Sequence, residues 1–267
     1  MNSSKEHIIM SDALSDADKN KLDYLLHLAD NTLVLSHRSS EWCGHGPILE
    51  QDIAITNISL DLIGQARNFY QYAALIAGGH ATEDTLAYLR KEHQYLNCLI
   101  CEQPNGDWAT TILRQFFFSA YQFLLYERMQ HSSDTQIAAI AAKALKEVAY
   151  HLRWSSEWVI RLGDGTEESH SRMLHAIEEL WMFTGEMFST AGYEGKAYLN
   201  GYGVDPSSLK SDWFSKVEEI FREATLPVPP ANTAMQRGGK QGRHSEHLGY
   251  ILSELQYMQR TFPGCEW

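Results

Sequence analysis

The sequence predicts an all-α fold, a ferritin-like antiparallel helix bundle with four core helices plus additional helices. Three observations lead there. Between about residues 18 and 190, apolar residues recur at helical spacing, and no window alternates with period two over the length of a strand. The connections between the helical stretches are short, which makes consecutive helices antiparallel neighbours. The stretch KALKEVAYHLRWSSEWVIRL, Lys143 to Leu162, sets Glu147, Tyr150 and His151 on one broad helical face. In bundles of this type a core helix presents a carboxylate and, three residues on, a histidine.

Leu22, Leu25, Leu26, Ala29, Leu33 and Val34 mark a first helix from about Asp18 to Ser39. Gly44, Gly46 and Pro47 interrupt the pattern before a second helix from Ile48 to about Ala77, apolar on nearly every side and therefore expected in the middle of the bundle. Gly78 and Gly79 end it, and Thr82-Glu-Asp opens a short helix to about Cys101. Beyond the turn at 103–107, a helix from Trp108 to Gln130 is rich in aromatics. Ser132-Ser-Asp134 caps the helix that runs to Leu162, and Thr166-Glu-Glu begins another that reaches Ser189. Residues 191–209 read as an ordered Gly- and Tyr-rich loop, Trp213 to Ala224 as an amphipathic helix, and Glu246 to Arg260 as the last helix. The chain thus divides into a polar, flexible extension, residues 1–18, and a single domain, residues 19–267, with a C-terminal loop and helix region from about 191.

A chain of 267 residues with 44% hydrophobic and 21% charged residues can bury a large core. Its formal net charge of -12 argues against nucleic acid or anionic membrane as a partner. No run of about 18 apolar residues suggests a membrane span, and the first residues lack the basic start and apolar core of a signal peptide, so a cytoplasmic location is expected. Cys43, Cys98, Cys101 and Cys265 are expected to be reduced, with Cys98 and Cys101 as small core residues rather than a redox or zinc motif.

The ligand slots of a di-iron bundle are depleted. A first pair, spaced by about 30 residues, would join Asp30 or Asn31 to Asp61-Leu-Ile-Gly64, where Gly64 replaces the imidazole. A second would join Ser119 to Glu147-Val-Ala-Tyr150, where Tyr150 replaces it. Two iron ions need roughly six protein ligands, four of them carboxylates, and only Asp61 and Glu147 are clearly retained. The expectation is no metal and no cofactor in this chain, with a polar cluster in place of a metal centre. Lys143, Arg67, His151 and the Tyr150 hydroxyl are the local groups available to Asp61 and Glu147, because a buried carboxylate is costly unless paired.

A second polar constellation runs from Gly238 to Gly249. Lys240 and Arg243 invite a phosphate reading, and His244, Glu246 and His247 a metal reading. The spacing matches neither a P-loop nor a zinc enzyme. Lys240, Arg243, His244 and His247 are therefore carried as contacts to a partner or an acidic ligand, beside a purely structural turn.

Several runs together, EWCGHGPILEQDIAI, SLDLIGQARNFYQYAA, EQPNGDW, KEVAYHLRWS, LGDGTEES, GGKQGRHSEHLG and PGCEW, resemble the PaaC-type subunits of bacterial phenylacetyl-CoA epoxidases from about residue 20 to the C-terminus. The resemblance implies a metal-free structural subunit. It would pair with a sister ferritin-like subunit that holds the di-iron centre and epoxidises the aromatic ring with O2, using electrons from an NADPH-dependent reductase subunit. Two other readings stay open beside it: a stand-alone enzyme with a mononuclear metal or an acid/base site at Glu147, His151 and Asp61, and an acyl-CoA-binding module using Lys240 and Arg243.

Overall fold

A computed structural model describes residues 14–230 and 232–265. Eleven α-helices are present among them, and no strand. They are α1 (Asp16–Ser40), α2 (Leu49–Ala77), α3 (Glu83–Tyr88), α4 (Leu99–Glu102), α5 (Trp108–Met129), α6 (Thr135–Gly163), α7 (Glu167–Thr184), α8 (Gly192–Leu199), α9 (Lys210–Glu223), α10 (Glu246–Leu255) and α11 (Tyr257–Thr261). The expected extension falls mostly outside the described residues, and α1 begins two residues before its predicted limit.

Two long hairpins, α1 with α2 and α5 with α6, form the bundle. Local sequence sets their starts. Ser15 accepts from the Asp18 N–H, Asp107 from Thr110, and Asp134 from both Gln136 and Ile137, satisfying donors that the first turn leaves free. Asp134 also accepts from Lys21 on α1 and Tyr72 on α2. One side chain therefore starts α6 and ties it to the other hairpin.

Most of the remaining helices pack against these hairpins. α7 and α9 lie against α5, while α4, α8 and α10 lie against α1. Phe117 of α5 meets Trp181 of α7 and Trp213 and Phe221 of α9, with ring centroids 5.6–6.0 Å apart. Phe116, Phe117 and Phe118 are all fully buried. Truncating one such ring costs about 3–5 kcal/mol.

Three expectations are corrected. The predicted helix from residue 82 to 101 is broken into α3, a 3-10 turn at Glu92–Gln94 and α4. Tertiary acceptors take its backbone donors: the Leu96 N–H goes to Asp30, Cys98 to Asn31 and Leu99 to Glu186. The predicted loop at 191–209 contains α8, whose start is held by the Ala191 N–H donating to Glu194. The last helix is divided at Gln256, whose side chain donates to the Arg90 carbonyl and the Tyr95 hydroxyl.

The expectation that α2 sits in the middle of the bundle holds for one face only. Ile55, Ile58, Leu62 and Phe69 are fully buried, but Leu49, Leu60 and Leu75 are 70%, 61% and 80% exposed, with Ile53 and Ile63 on the same stripe. From Leu49 to Ile63 its outer face is an apolar ridge, which the exposed Arg67 ends. No described helix is long and apolar enough to cross a membrane.

Candidate functional site

The six slots of a di-iron bundle do not converge on one point. Asn31 is buried, but its carbonyl oxygen accepts from the Cys98 N–H at 2.7 Å and its amide faces the His27 ring. Ser119 is buried and accepts from Gln115. Gly64 has no atom within 4 Å of where a Cβ would stand, and it borders a surface pocket instead of facing a ligand set.

α6 turns Tyr150 outward and His151 inward, because positions one residue apart differ by about 100° around a helix. Tyr150 is therefore exposed, with the Arg153 guanidinium 5.7 Å from its ring centroid, which corrects the reading that placed it in an inner imidazole slot. The His151 ring is fully buried, and its Nε2 lies 3.0 Å from Asp61 Oδ2. A carboxylate accepts, so this nitrogen carries the proton.

Glu147 accepts from Gln65 Nε2 at 2.9 Å, and Gln65 Oε1 in turn accepts from Gln122 Nε2 at 2.9 Å. Gln122 also reaches the Tyr126 hydroxyl. A chain of amides thus crosses from α6 through α2 to α5. Of the partners expected for the two carboxylates, His151 serves Asp61. Arg67 instead faces Glu83 at 3.6 Å, and Glu147 is met by an amide. Amides and hydroxyls carry no charge to offset two irons, and no three His, Cys, Asp or Glu side chains among the described residues group as a metal would need. The donor set does not fit a di-iron group.

The ion pair of this region lies elsewhere, between Asp30 and Arg90. Arg90 is buried and donates through both Nη atoms to Asp30, which also accepts from Tyr70 at 2.5 Å and from the Leu96 N–H at 2.7 Å. Burial opposes the Arg90 charge, but Asp30 together with the Tyr70 and Tyr95 hydroxyls outweighs it and raises the guanidinium pKa. Burial likewise pushes the Cys98 and Cys101 thiols far above their ordinary range, and both are free core residues.

The Gly238–Gly249 segment is organised around three buried carboxylates that sequence reasoning missed. Glu186 accepts from the Gly238 and Leu99 N–H groups. Glu194 pairs with Lys240 at 2.9 Å. Glu102 accepts from Ser245 N, Ser245 Oγ, Asn97 and His244. The expectation that Lys240 and His244 face a ligand is therefore corrected. Lys240 is 3% exposed and its Nζ is used by Glu194, Met187 O and Ser189 O. His244 sits with Nδ1 2.8 Å from Glu102 and Nε2 2.8 Å from the Tyr95 carbonyl. Both neighbours are acceptors, so both nitrogens must donate. Burial opposes that cation, but Glu102 together with the Tyr95 carbonyl and Asp30 outweighs it and raises the His244 pKa. Arg243 is exposed and His247 is half-buried. The sequence signal for these carboxylates is absent because their partners in the Gly238–Gly249 segment are distant in the chain; Glu102 and Ser245, for example, are 143 residues apart.

Two comparisons with known proteins bear on this arrangement. The family described as phenylacetic acid catabolic protein matches residues 8–267. A subunit of the 1,2-phenylacetyl-CoA epoxidase of Escherichia coli (strain K12) is 51% identical over 244 residues, spanning 91% of this chain and 98% of that protein. With its helical architecture and the match along nearly its whole length, the chain belongs to the phenylacetic acid catabolic protein family.

Proposed function

We propose that this chain is a structural, metal-free subunit of a phenylacetyl-CoA epoxidase, and that it holds a catalytic di-iron sister subunit in its working shape. The observation that carries this is the apolar ridge on α2 in a chain half identical to a subunit of that enzyme. From Leu49 to Ile63 the ridge is about 21 Å long at 1.5 Å per residue, and the exposed Arg67 ends it. An apolar ridge of about four turns suits a helix of a second bundle, seated ridge into groove. Large exposed apolar faces of this kind mark interaction sites.

Beside the ridge, Ile63, Gly64 and Arg67 border a pocket of about 350 Å3 floored by Tyr70, Leu33 and Ala66. That volume can take a bulky side chain from the sister subunit, in the way interface anchors fill pockets. The amide chain from Glu147 to Gln122 and the Asp61–His151 contact lie along the seam behind this face and keep α2 and α6 in fixed relation. A rigid face of this kind can orient the partner's metal-bearing helices from outside. The aromatic-rich α5, also a segment with much to bury, is buried against α7 and α9 within this chain, so it does not serve as the docking face. A stand-alone acid/base enzyme finds less support, because Glu147 bonds Gln65 rather than His151.

Co-expression with the sister subunit followed by size measurement tests the reading. A stable complex of the two is expected. Two folded chains that elute separately would overturn it.

A further inference from the structure

The loop from Arg237 to Ser245 is fixed with unusual completeness. Its backbone donates to Glu186, its lysine is buried on Glu194, and its histidine and serine are held by Glu102. A Cβ at Gly239 would overlap the Asn97 carbonyl, and one at Gly242, whose φ is +72°, the His93 carbonyl. The backbone is therefore pressed against the 93–99 segment in a way only glycine allows.

Two cationic groups of the loop are left exposed, the guanidiniums of Arg237 and Arg243. Both line one cleft of about 450 Å3, together with Leu99, Phe183 and Gln236. No Asp or Glu among the described residues lines it, although the chain carries 34 acidic residues against 22 basic ones. Arg243 Nη2 donates to Gln241 at 2.6 Å, which fixes its head while its other N–H groups stay available. Arg237 has no carboxylate partner among the described residues.

We propose that this cleft binds the phosphate groups of an adenine nucleotide or of the nucleotide end of a CoA ester, clasped between Arg237 and Arg243. Guanidinium forks match phosphate oxygens in paired hydrogen bonds. The rigid loop has little freedom left to lose on binding. The half-buried Phe183 supplies an apolar side for the base, and the cleft is larger than inorganic phosphate requires. The phosphate recognition suggested by the glycine-rich sequence is thereby moved from Lys240, which is consumed inside the protein, to Arg237, which sequence reasoning passed over. The proposal does not depend on the chain being a subunit, because the cleft is built from this chain alone.

Calorimetric titration of the whole isolated chain with CoA, ADP and inorganic phosphate tests it, alongside Arg237→Ala, Arg243→Ala and, as a control away from the cleft, Arg153→Ala. CoA or ADP is expected to bind with a Kd below about 1 mM, and either cleft variant to weaken it about tenfold. Arg153→Ala should leave it unchanged, and circular dichroism should show all variants folded. Stronger binding of CoA than of ADP identifies a CoA ester as the source; equal binding identifies a free nucleotide. Saturation by inorganic phosphate with the same Kd would overturn the nucleotide assignment. Absence of binding, or binding indifferent to both cleft variants, would overturn the site.

Discussion

His151 Nε2 donates to Asp61 Oδ2 across 3.0 Å, joining a fully buried ring on α6 to a carboxylate at the rim of α2. The two ends of this contact are unequal. His151 fills core volume, whereas the Asp61 side chain is 37% exposed and can turn to solvent. His151→Ala should lower the unfolding free energy by about 2–4 kcal/mol, through the cavity and the lost bond. Asp61→Asn should cost less than about 1 kcal/mol, as for a screened pair. Urea unfolding of the two variants checks this, and equal losses would contradict it.

Asp30 and Arg90 are buried together, so each leaves an uncompensated charge when the other is removed. Asp30→Asn and Arg90→Met should each destabilise by about 3–5 kcal/mol. The double variant should lose less than the sum of the two, a coupling measurable in a double-mutant cycle.

Two buried histidines should give stability opposite pH dependences. Glu102, against the opposing effect of burial, raises the His244 pKa above the ordinary value of 6.5. Its contribution is therefore full below 6.5 and lost as pH rises through the folded value. Burial lowers the His27 pKa, which Glu194, itself occupied by Lys240, does not reverse. His27 thus favours the fold above 6.5 and disfavours it as pH falls toward its folded value. Unfolding free energy followed across pH should lose part of its alkaline decline in His244→Gln and part of its acidic decline in His27→Gln.

The outer face of α2 and the inner face of α5 should separate docking from folding. Leu60→Asp with Ile63→Asp leaves the core intact, and should weaken association with the sister subunit by about tenfold or more while leaving thermal unfolding of the isolated chain nearly unchanged. Phe116→Ala should do the reverse and destabilise the chain by about 3–5 kcal/mol. Parallel loss of stability in the α2 variant would mean that the ridge serves the fold and not a partner.

How much of this was legible in the sequence follows from which interactions were local. The limits of α1, α2, α5 and α6 could be read within about two residues because caps and periodicity are nearest-neighbour properties. The break between α3 and α4 could not, since Asp30, Asn31 and Glu186 impose it from far along the chain. Within the site, the identities of Gly64 and Ser119 were plain in the sequence, but the inward turn of His151 needed the phase of α6 fixed by the fold. Lys240 looked like a surface cation only because its partner Glu194 is 46 residues away.

The most direct measurement is oxygen consumption by the di-iron sister subunit, supplied with its reductase and phenylacetyl-CoA, as this chain is titrated in after metal analysis shows it to be iron-free. Activity should be low without the chain, rise on its addition and level off once the two are equimolar. Full activity of the sister subunit without this chain, or turnover by this chain without the sister, would contradict the account.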